Sequence, residues 1–292
     1  MGEDYRFPSG QPGVDTRFPG PGTDEQFPVP GLDTRFDPLG WDARFMGATA
    51  QPWKATAVQF NGSTRMQAGG SIPDVPVGSS ALFAFWIRMG GLLDTAPQTL
   101  FCNWEGTVQI YRAPSTNRLR LSVGRDTESY VKSSNAANFI VANQAWRSVL
   151  FAVDTNHPAG QKLSQLYIDD VLDPGYGIED TAPAFTIQWD ALDWLFASTF
   201  DGGQLWSGAV ADFRVYPNVY PDLSITANRR FFVTAGNTPA EGIEDTGSEM
   251  YGRPLLALAN PLATWNTNRG GYGGAIPVYN GPLEAADIGP SG

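Results

Sequence analysis

Short apolar runs separated by turn residues, with no long stretch of helical periodicity, limit this 292-residue chain to an all-β fold. In many runs apolar and polar side chains alternate, which is the period of a strand with one buried face. The run 81–88 is apolar on both faces and is predicted to be a central strand. Strands at this spacing predict a jelly-roll β-sandwich. The predicted strands are 55–60, 64–66, 81–88, 98–104, 107–112, 118–123, 129–132, 146–153, 165–168, 186–189, 194–197, 206–216 and 255–258.

Turn residues predict how some of these elements connect. Asn61 and Gly62 stand between the first two predicted strands, and an Asn-Gly pair in that position predicts a hairpin. Asp169 and Asp170 are predicted to close the strand 165–168. The run 222–224 followed by 228–232 predicts a capped short helix.

Composition fits this fold and argues against several partners. Glycine (33) and proline (23) are abundant and only 17% of residues are charged, as in all-β proteins with many turns. The net charge of −11 argues against nucleic acid and anionic membranes as partners. The single cysteine, Cys102, lies in an apolar run and is predicted to be buried, so no intrachain disulfide is expected. Neither a signal-peptide pattern nor a membrane-length apolar run is visible, so we expect synthesis in a cytoplasm.

Several of the apolar runs resemble the strands of laminin-G-like, concanavalin A-like jelly rolls. The most specific is 206–216, because the final strand of that family typically reads as Gly, a small residue, Asp and an aromatic residue, here Gly208, Ala209, Asp212 and Phe213. The resemblance covers roughly residues 54–217 and implies a jelly-roll β-sandwich. The matching segments are 57–62, 83–87, 118–121, 146–151, 165–169 and 206–216.

The C-terminal part is similar to that of laminin-G-like proteins encoded by tailed phages and prophages. The similarity lies in the runs 253–258, 264–268 and 270–274 and in the ending 289–292. The apolar run 255–258 is predicted to dock on the sandwich. We therefore expect one body, 49–292, with the segment 218–292 packed back on it.

An N-terminal arm, residues 1–48, carries a short repeat of the form Asp-x-Arg-Phe-Pro. The first aspartates of successive copies are 11, 9, 9 and 9 residues apart. Proline and glycine prevent a sustained helix or sheet, so the arm is predicted to be extended and irregular. A disordered linker is the simpler interpretation. A Phe every nine residues instead favours docking into pockets on other subunits, with linked weak contacts adding up.

The predicted anchors of the arm fall into two sets. The apolar anchors are Phe7, Phe18, Phe27, Phe36 and Phe45. The polar contacts beside them are Arg6, Arg17, Arg35 and Arg44.

The sequence lacks the patterns of common active sites, so no enzyme is predicted. Retaining glycosidases need two carboxylates about 5–5.5 Å apart, and no strand has the Glu-x-Asp-x-Glu pattern that would supply them. The pairs 179–180 and 244–245 are adjacent residues, which point to opposite faces of a strand. The one histidine, His157, lies in a turn, so neither a Ser-His-Asp triad nor a His/Cys zinc site is readily built.

No cofactor is predicted, and calcium is the metal that the acidic turns would suit best. Asp169, Asp170 and Asp173 lie near one turn and Asp201 lies in a Gly-rich loop. A hydrated acidic turn explains the same pattern, so no residue is assigned to calcium.

Exposed aromatic side chains would give the body a glycan-binding platform. Trp104, Tyr111 and Tyr130 are the candidates, and Trp53 could also serve. In a sandwich of this size aromatic residues are more often part of the core.

Two functions follow from these patterns. The first is a structural virion protein of a tailed bacteriophage, such as a capsid decoration, head-fibre or collar protein, fastened to capsid or other virion proteins by its arm and forming homo-oligomers. The alternative is a carbohydrate-binding module that recognises the host surface. The first would be located in the virion.

Overall fold

The computed structural model describes most of the body of the chain. The described residues are 56–71, 77–89, 96–103, 107–125, 128–135, 145–157, 162–175, 178–180, 186–189, 192–199, 201–240, 251, 254–259, 262–268, 270, 274–286 and 289–290, without the side chains of 69–71, 125, 128–131, 178–180, 192–193 and 274. The predicted arm, 1–48, lies outside them.

The described residues form short strands, a short α-helix and a 3-10 helix at Leu262–Thr264. The strands are β1 Ala57–Asn61, β2 Arg65–Ser71, β3 Ser80–Arg88, β4 Gln98–Asn103, β5 Val108–Arg112, β6 Leu119–Arg125, β7 Glu128–Ser133, β8 Arg147–Asp154, β9 Leu163–Ile168, β10 Val171–Asp173, β11 Ile178–Asp180, β12 Leu192–Phe196, β13 Ser207–Pro217, β14 Leu256–Leu258, β15 Thr267–Asn268, β16 Gly274–Ala275, β17 Val278–Tyr279 and β18 Glu284–Ala285. The helix is α1, Thr226–Arg230.

Two antiparallel sheets pack into a jelly-roll sandwich, which confirms the predicted fold class. The first sheet has the order β10-β9-β8-β3-β13-β1-β18, with β14 also pairing with β13. The second sheet has the order β11-β7-β6-β5-β4-β12-β2-β17. The strands β14, β17 and β18 extend these sheets through pairing with β13, β2 and β1.

The core between the sheets is rich in aromatic side chains. Phe101 of the second sheet stacks on Trp194 with ring centroids 5.2 Å apart, and it also meets Phe213 of the first sheet at 5.2 Å. Phe196 meets Phe213 edge-on at 4.7 Å. Rings this large and this close contribute apolar burial and aromatic contacts that hold the two sheets together.

The first sheet is buried on both faces. Its outer face packs against a covering segment, residues 218–240, which includes α1 and supplies Leu223, Phe232 and Val233 to a second apolar cluster. Seven successive residues of β3 are buried, as the apolar run 81–88 predicts for a central strand. The covering segment therefore leaves the first sheet with little solvent-facing surface.

The hairpin predicted at Asn61 and Gly62 is wrong. β1 pairs with β13 in the first sheet, whereas β2 pairs with β12 in the second, so the turn carries the chain from one sheet to the other. The turn chemistry itself is local: Gly62 has φ +81°, and the Asn61 carboxamide oxygen accepts from the Ser63 N–H at 2.9 Å. The pattern of buried side chains along a strand, more than the turn beside it, decides which strand it pairs with.

Two further predictions need correction. The segment predicted as the strand 186–189 makes only one bridge, Gly78 with Ile187, and its apolar pattern reflects the burial of Ile187 and Trp189. The helix α1 is present, but its N-cap is Ile225, which has no side-chain capping bond. Asp222 instead accepts from the Ser224 N–H at 2.9 Å, before the helix begins.

Candidate functional site

The outer face of the second sheet carries polar side chains, unlike the covered first sheet. In β5 the side chains of Val108 and Ile110 face the core, while Gln109 and Tyr111 between them are partly exposed. β6 repeats the pattern, because Leu119 and Leu121 are buried while Arg120 and Ser122 are partly exposed. We call Thr99, Gln109, Tyr111, Arg120, Ser122 and Gln204 the Tyr111 patch.

Strand register brings the members of the Tyr111 patch together. Tyr111 is paired with Arg120 of β6 on one side and with Thr99 of β4 on the other. Gln109 is paired with Ser122. Side chains directly opposite each other on one face have Cβ atoms about 4.5–5.5 Å apart, so the Tyr111 ring and the Arg120 side chain are neighbours.

One edge of the Tyr111 patch is fixed by a hydrogen-bond network. The Thr99 hydroxyl donates to Gln204 Oε1 at 3.0 Å, and the Gln109 Nε2 donates to the Thr99 hydroxyl oxygen at 2.8 Å. The Gln204 backbone carbonyl also accepts from the Thr99 N–H at 2.7 Å. The loop before β13 is thereby held beside β4 and β5, and the Gln109 amide is oriented before any ligand arrives.

Arg120 differs from the other arginines whose side chains the structure describes. It makes no hydrogen bond, ion pair or ring contact with the described residues. Its covered Nε has no acceptor, a feature that it shares with the Nε of Arg65 and of Arg147. The others contact acceptors or rings: Arg65 lies over Tyr279 and Arg88 over Trp146, and Arg112, Arg118, Arg147, Arg214, Arg229 and Arg230 donate to protein oxygens. A guanidinium carries five donors, so Arg120 is the part of the patch with the most unused capacity to bind a ligand.

A second arginine–tyrosine pair lies on the same face at a distance. Arg65 of β2 is paired with Tyr279 of β17, and its guanidinium carbon lies 5.8 Å from the Tyr279 ring centroid. Arg65 also lies against Gly202, where a Cβ would clash with it. Four strand spacings separate Tyr279 from Tyr111, roughly 19 Å.

Of the three predicted platform residues, the structure describes the side chain of one. Tyr111 lies on the outer face of the second sheet, as a platform requires. Trp104, like Trp53, lies outside the described residues. Tyr130 is in β7 and is paired with Val123, but its side chain is not described. The predicted anchors in the arm also lie outside the described residues, so they stay predictions.

Sequence reasoning missed the polar neighbours of Tyr111. Arg120 and Gln109 were not singled out, although the strict alternation in β5 and β6 carries the signal that they face outward. Thr99 and Gln204 join the patch through contacts between distant parts of the chain, which no local pattern shows.

The aspartates considered for calcium are all engaged by protein donors. Asp169 is bonded to Arg147 at 2.6 Å, and Asp170 is bonded to Arg229 and Arg230, each at 2.6 Å. Asp173 accepts from the Asn135 and Gly175 N–H groups, and Asp201 accepts from Thr199 and Gly203. The hydrogen bond from Thr199 lowers the pKa of Asp201.

Among the described residues, no group of three or more His, Cys, Asp and Glu side chains could hold a metal ion. His157 lies near the Tyr220 ring, with centroids 6.4 Å apart. Cys102 is buried as predicted, and its thiol donates to the Ser198 carbonyl at 3.3 Å. None of the described helices is long and apolar enough to cross a membrane.

The sequence matches no protein-family model and no curated protein sequence. The fold does match solved structures. A candidate carbohydrate binding protein from Bacteroides ovatus ATCC 8483 has a TM-score of 0.53 at 13% identity, over 82% of this chain and 62% of that one. The native heptameric SAP-like pentraxin from Limulus polyphemus has a TM-score of 0.40 at 13% identity, over 56% and 76%. Domains LG4-5 of the mouse laminin α1 chain have a TM-score of 0.39 at 11% identity, over 60% and 48%.

The Bacteroides structure supports the fold alone, because the identity is low. This chain spans less than two thirds of that protein's length. The jelly-roll fold predicted from the strand motifs is confirmed.

Proposed function

We propose that the jelly-roll body is a carbohydrate-binding module and that a glycan lies on the Tyr111 patch. The observation that carries this proposal is a partly exposed tyrosine beside an arginine without partners, on the polar face of an otherwise tightly packed sandwich. Binding sites for small polar ligands combine an apolar or aromatic surface with a few convergent polar groups. A jelly-roll protein described as a candidate carbohydrate binding protein shares the fold.

Each member of the patch has a defined role in the proposed complex. The Tyr111 ring offers a flat surface for the C–H face of a sugar ring, while its hydroxyl and the Gln109 amide meet sugar hydroxyls. Gln109 is already held by Thr99 and Gln204, so little of its side-chain entropy is lost on binding. The open sheet face gives few contacts to one sugar, so we expect weak binding per unit and stronger binding to multivalent glycans.

Binding without catalysis fits the chemistry of the site. The Tyr111 patch contains no carboxylate among its members, so it offers neither a general acid nor a nucleophile for glycoside hydrolysis.

A glycan array probed with the full chain and with Tyr111→Ala tests the proposal. We expect the full chain to bind at least one glycan and Tyr111→Ala to lose at least tenfold in affinity, because stacking on the ring is removed. Tyr279→Ala is the matched control, since it removes an exposed tyrosine from the same face and should change affinity less than twofold. Equal losses in both variants, or glycan binding that survives Tyr111→Ala, would contradict the proposed site.

A second candidate function rests on the arm repeat. Five copies of Asp-x-Arg-Phe or its variants at near-constant spacing favour attachment to a surface that itself repeats, such as a tailed-phage capsid or another virion assembly. In that role the arm fastens the protein and the body projects the Tyr111 patch toward host glycans. The two functions are compatible, because they use different parts of the chain.

Truncation of residues 1–48 tests the attachment role. We expect the truncated protein to keep the melting temperature of the full chain and to lose co-sedimentation with purified phage particles. Replacing only Phe7, Phe18 and Phe27 with Ala should weaken co-sedimentation more than any single replacement does. Full attachment by the truncated protein would exclude the arm as the fastener.

A further inference from the structure

We infer that the sugar recognised by the Tyr111 patch is anionic and that Arg120 binds its negative group. This inference rests on the proposed carbohydrate-binding function and adds the ligand class. It begins from the contrast between Arg120 and the eight other arginines with described side chains, all of which contact a protein acceptor or ring.

The partly covered position of Arg120 suggests that its unpaired donors meet oxygen atoms of a ligand. Arg120 is only partly exposed, and its Nε is shielded from solvent without an acceptor. A covered donor without a partner is unfavourable, and a ligand oxygen that meets it removes that cost. Arg120 is the second residue of β6, which lies between β5 and β7, so its side chain has strand neighbours on both sides.

The chemistry of the guanidinium group selects the ligand class. Its donors lie in one plane as a fork that matches the two oxygens of a carboxylate or of a sulfate group. The neighbouring members of the patch, Thr99, Gln109, Tyr111 and Ser122, are neutral, so no described carboxylate of the patch competes for Arg120. A sugar ring on Tyr111 therefore places an acidic substituent within reach of Arg120, because Tyr111 and Arg120 are direct cross-strand neighbours.

The overall charge of the protein opposes an anionic ligand, so the inference requires a local cation that outweighs it. With a net charge of −11, the chain repels anionic ligands at long range. A preference for an acidic sugar over its neutral counterpart therefore requires a local cation at the site. The other arginines near this face are already engaged. Arg65 lies over the Tyr279 ring and against Gly202. Arg118, two residues before Arg120, donates to the Ser134 and Asn135 carbonyls.

The test pairs each acidic glycan with its neutral form. The full-length chain is titrated with an oligogalacturonide and its carboxyl-reduced form, with sialyllactose and lactose, and with a sulfated oligosaccharide and its desulfated form. We expect at least tenfold tighter binding to the acidic member of at least one pair, and the pair that responds identifies carboxylate or sulfate as the group. Arg120→Gln should reduce that affinity to the level of the neutral member and leave the neutral member within twofold.

Two control variants and a check of folding distinguish a failure of this inference from a failure of the proposed function. Arg65→Gln removes a positive charge from the same face and should leave both members of each pair unchanged. Tyr111→Ala should weaken both members, because it removes the shared stacking surface. Equal binding of acidic and neutral members overturns the anionic ligand and leaves the proposed function standing, whereas binding of no glycan in a broad array overturns both. Unchanged melting temperatures confirm that the variants fold.

Discussion

Asp212 shows how one residue of the final long strand shapes the sandwich. It has φ +46°, and the pairing of β13 with β3 shifts by one residue between Ala211 and Arg214, so Asp212 lies in a β-bulge. Its carboxylate is bonded to Arg214 Nε at 2.6 Å, and both side chains are buried. Burial opposes the charge of Arg214, but Asp212 and Tyr216 outweigh it and raise its pKa. Asp suits this position because it tolerates left-handed backbone and pairs with the arginine.

Replacing Asp212 with alanine should therefore be strongly destabilising. The variant leaves Arg214 buried without its counter-ion and puts alanine at a positive φ, and we expect a loss of about 3–5 kcal/mol in the free energy of unfolding. Asp212→Asn keeps the backbone preference and an acceptor oxygen, so its loss should be smaller. Urea denaturation of both variants measures the difference. A loss below about 1 kcal/mol for Asp212→Ala would show that the pair is dispensable.

At the residue scale, some of the site could be predicted and some could not. Alternation places Tyr111 and Arg120 on the outer face from the sequence alone, because strand side chains alternate between faces. That Arg120 lacks any partner could not be predicted, since it depends on every neighbour of one guanidinium. The role of Thr99 likewise depends on Gln204, 105 residues away.

The covering segment is the element that makes the two sheets different. The turn between β9 and β10 has positive φ at both central residues, Asp169 and Asp170, as a tight type I′ hairpin requires. Both aspartates then reach other elements: Asp169 bonds Arg147 and Asp170 bonds Arg229 and Arg230 of α1. The Arg229 guanidinium also lies 4.5 Å from the Tyr167 ring centroid. The contacts of Arg229 and Arg230 fasten the covering segment to the first sheet, whereas the Asp169–Arg147 pair lies within that sheet.

Asp170→Asn tests this fastening through its pH dependence. Burial raises the pKa of Asp170, but hydrogen bonds and charges from Arg230 and Arg229 outweigh it and hold the pKa below its usual 3.8. A depressed folded-state pKa stabilises the fold above the unfolded pKa, and this contribution is lost as pH falls through the folded-state value. We expect Asp170→Asn to cost about 1–3 kcal/mol at pH 7, with the difference vanishing as pH drops below about 3.8.

Thermal or urea unfolding of the two proteins across pH 2.5–7 measures this difference. Asparagine tolerates the left-handed backbone of residue 170, so the comparison isolates the charge. A difference that stays constant with pH would mean that the two ion pairs add no net stability.

The turn at Asn61 and Gly62 marks the limit of prediction at the element scale. Local chemistry correctly indicated a tight turn, since Gly62 has positive φ and Asn61 accepts from the residues after it. The prediction of a hairpin failed because β1 pairs over five residues with β13, which lies about 150 residues further along the chain. Such long-range pairing depends on packing throughout the core, so a turn motif does not predict it.

For the whole molecule, the burial pattern of single strands already anticipates the asymmetry of the sandwich. β3 is apolar on both faces and lies in the doubly covered first sheet, whereas β5 alternates and lies in the second sheet. The fold class followed from these patterns. The face that the covering segment occupies did not follow from the sequence, because its apolar residues lie in a short helix and turns without clear periodicity. The proposed function depends on this asymmetry, since it leaves the outer face of β5 and β6 as a polar surface on which a ligand can lie.

The most direct test of the carbohydrate-binding account is to map where a bound glycan contacts the folded chain. Amide chemical shifts of the isotope-labelled full-length protein are recorded during titration with the tightest glycan from the array. The account predicts shifts concentrated in β5 and β6, including Gln109, Tyr111 and Arg120, with the covering segment unchanged. Shifts confined to the covering segment or to β17, with β5 and β6 unaffected, would contradict it.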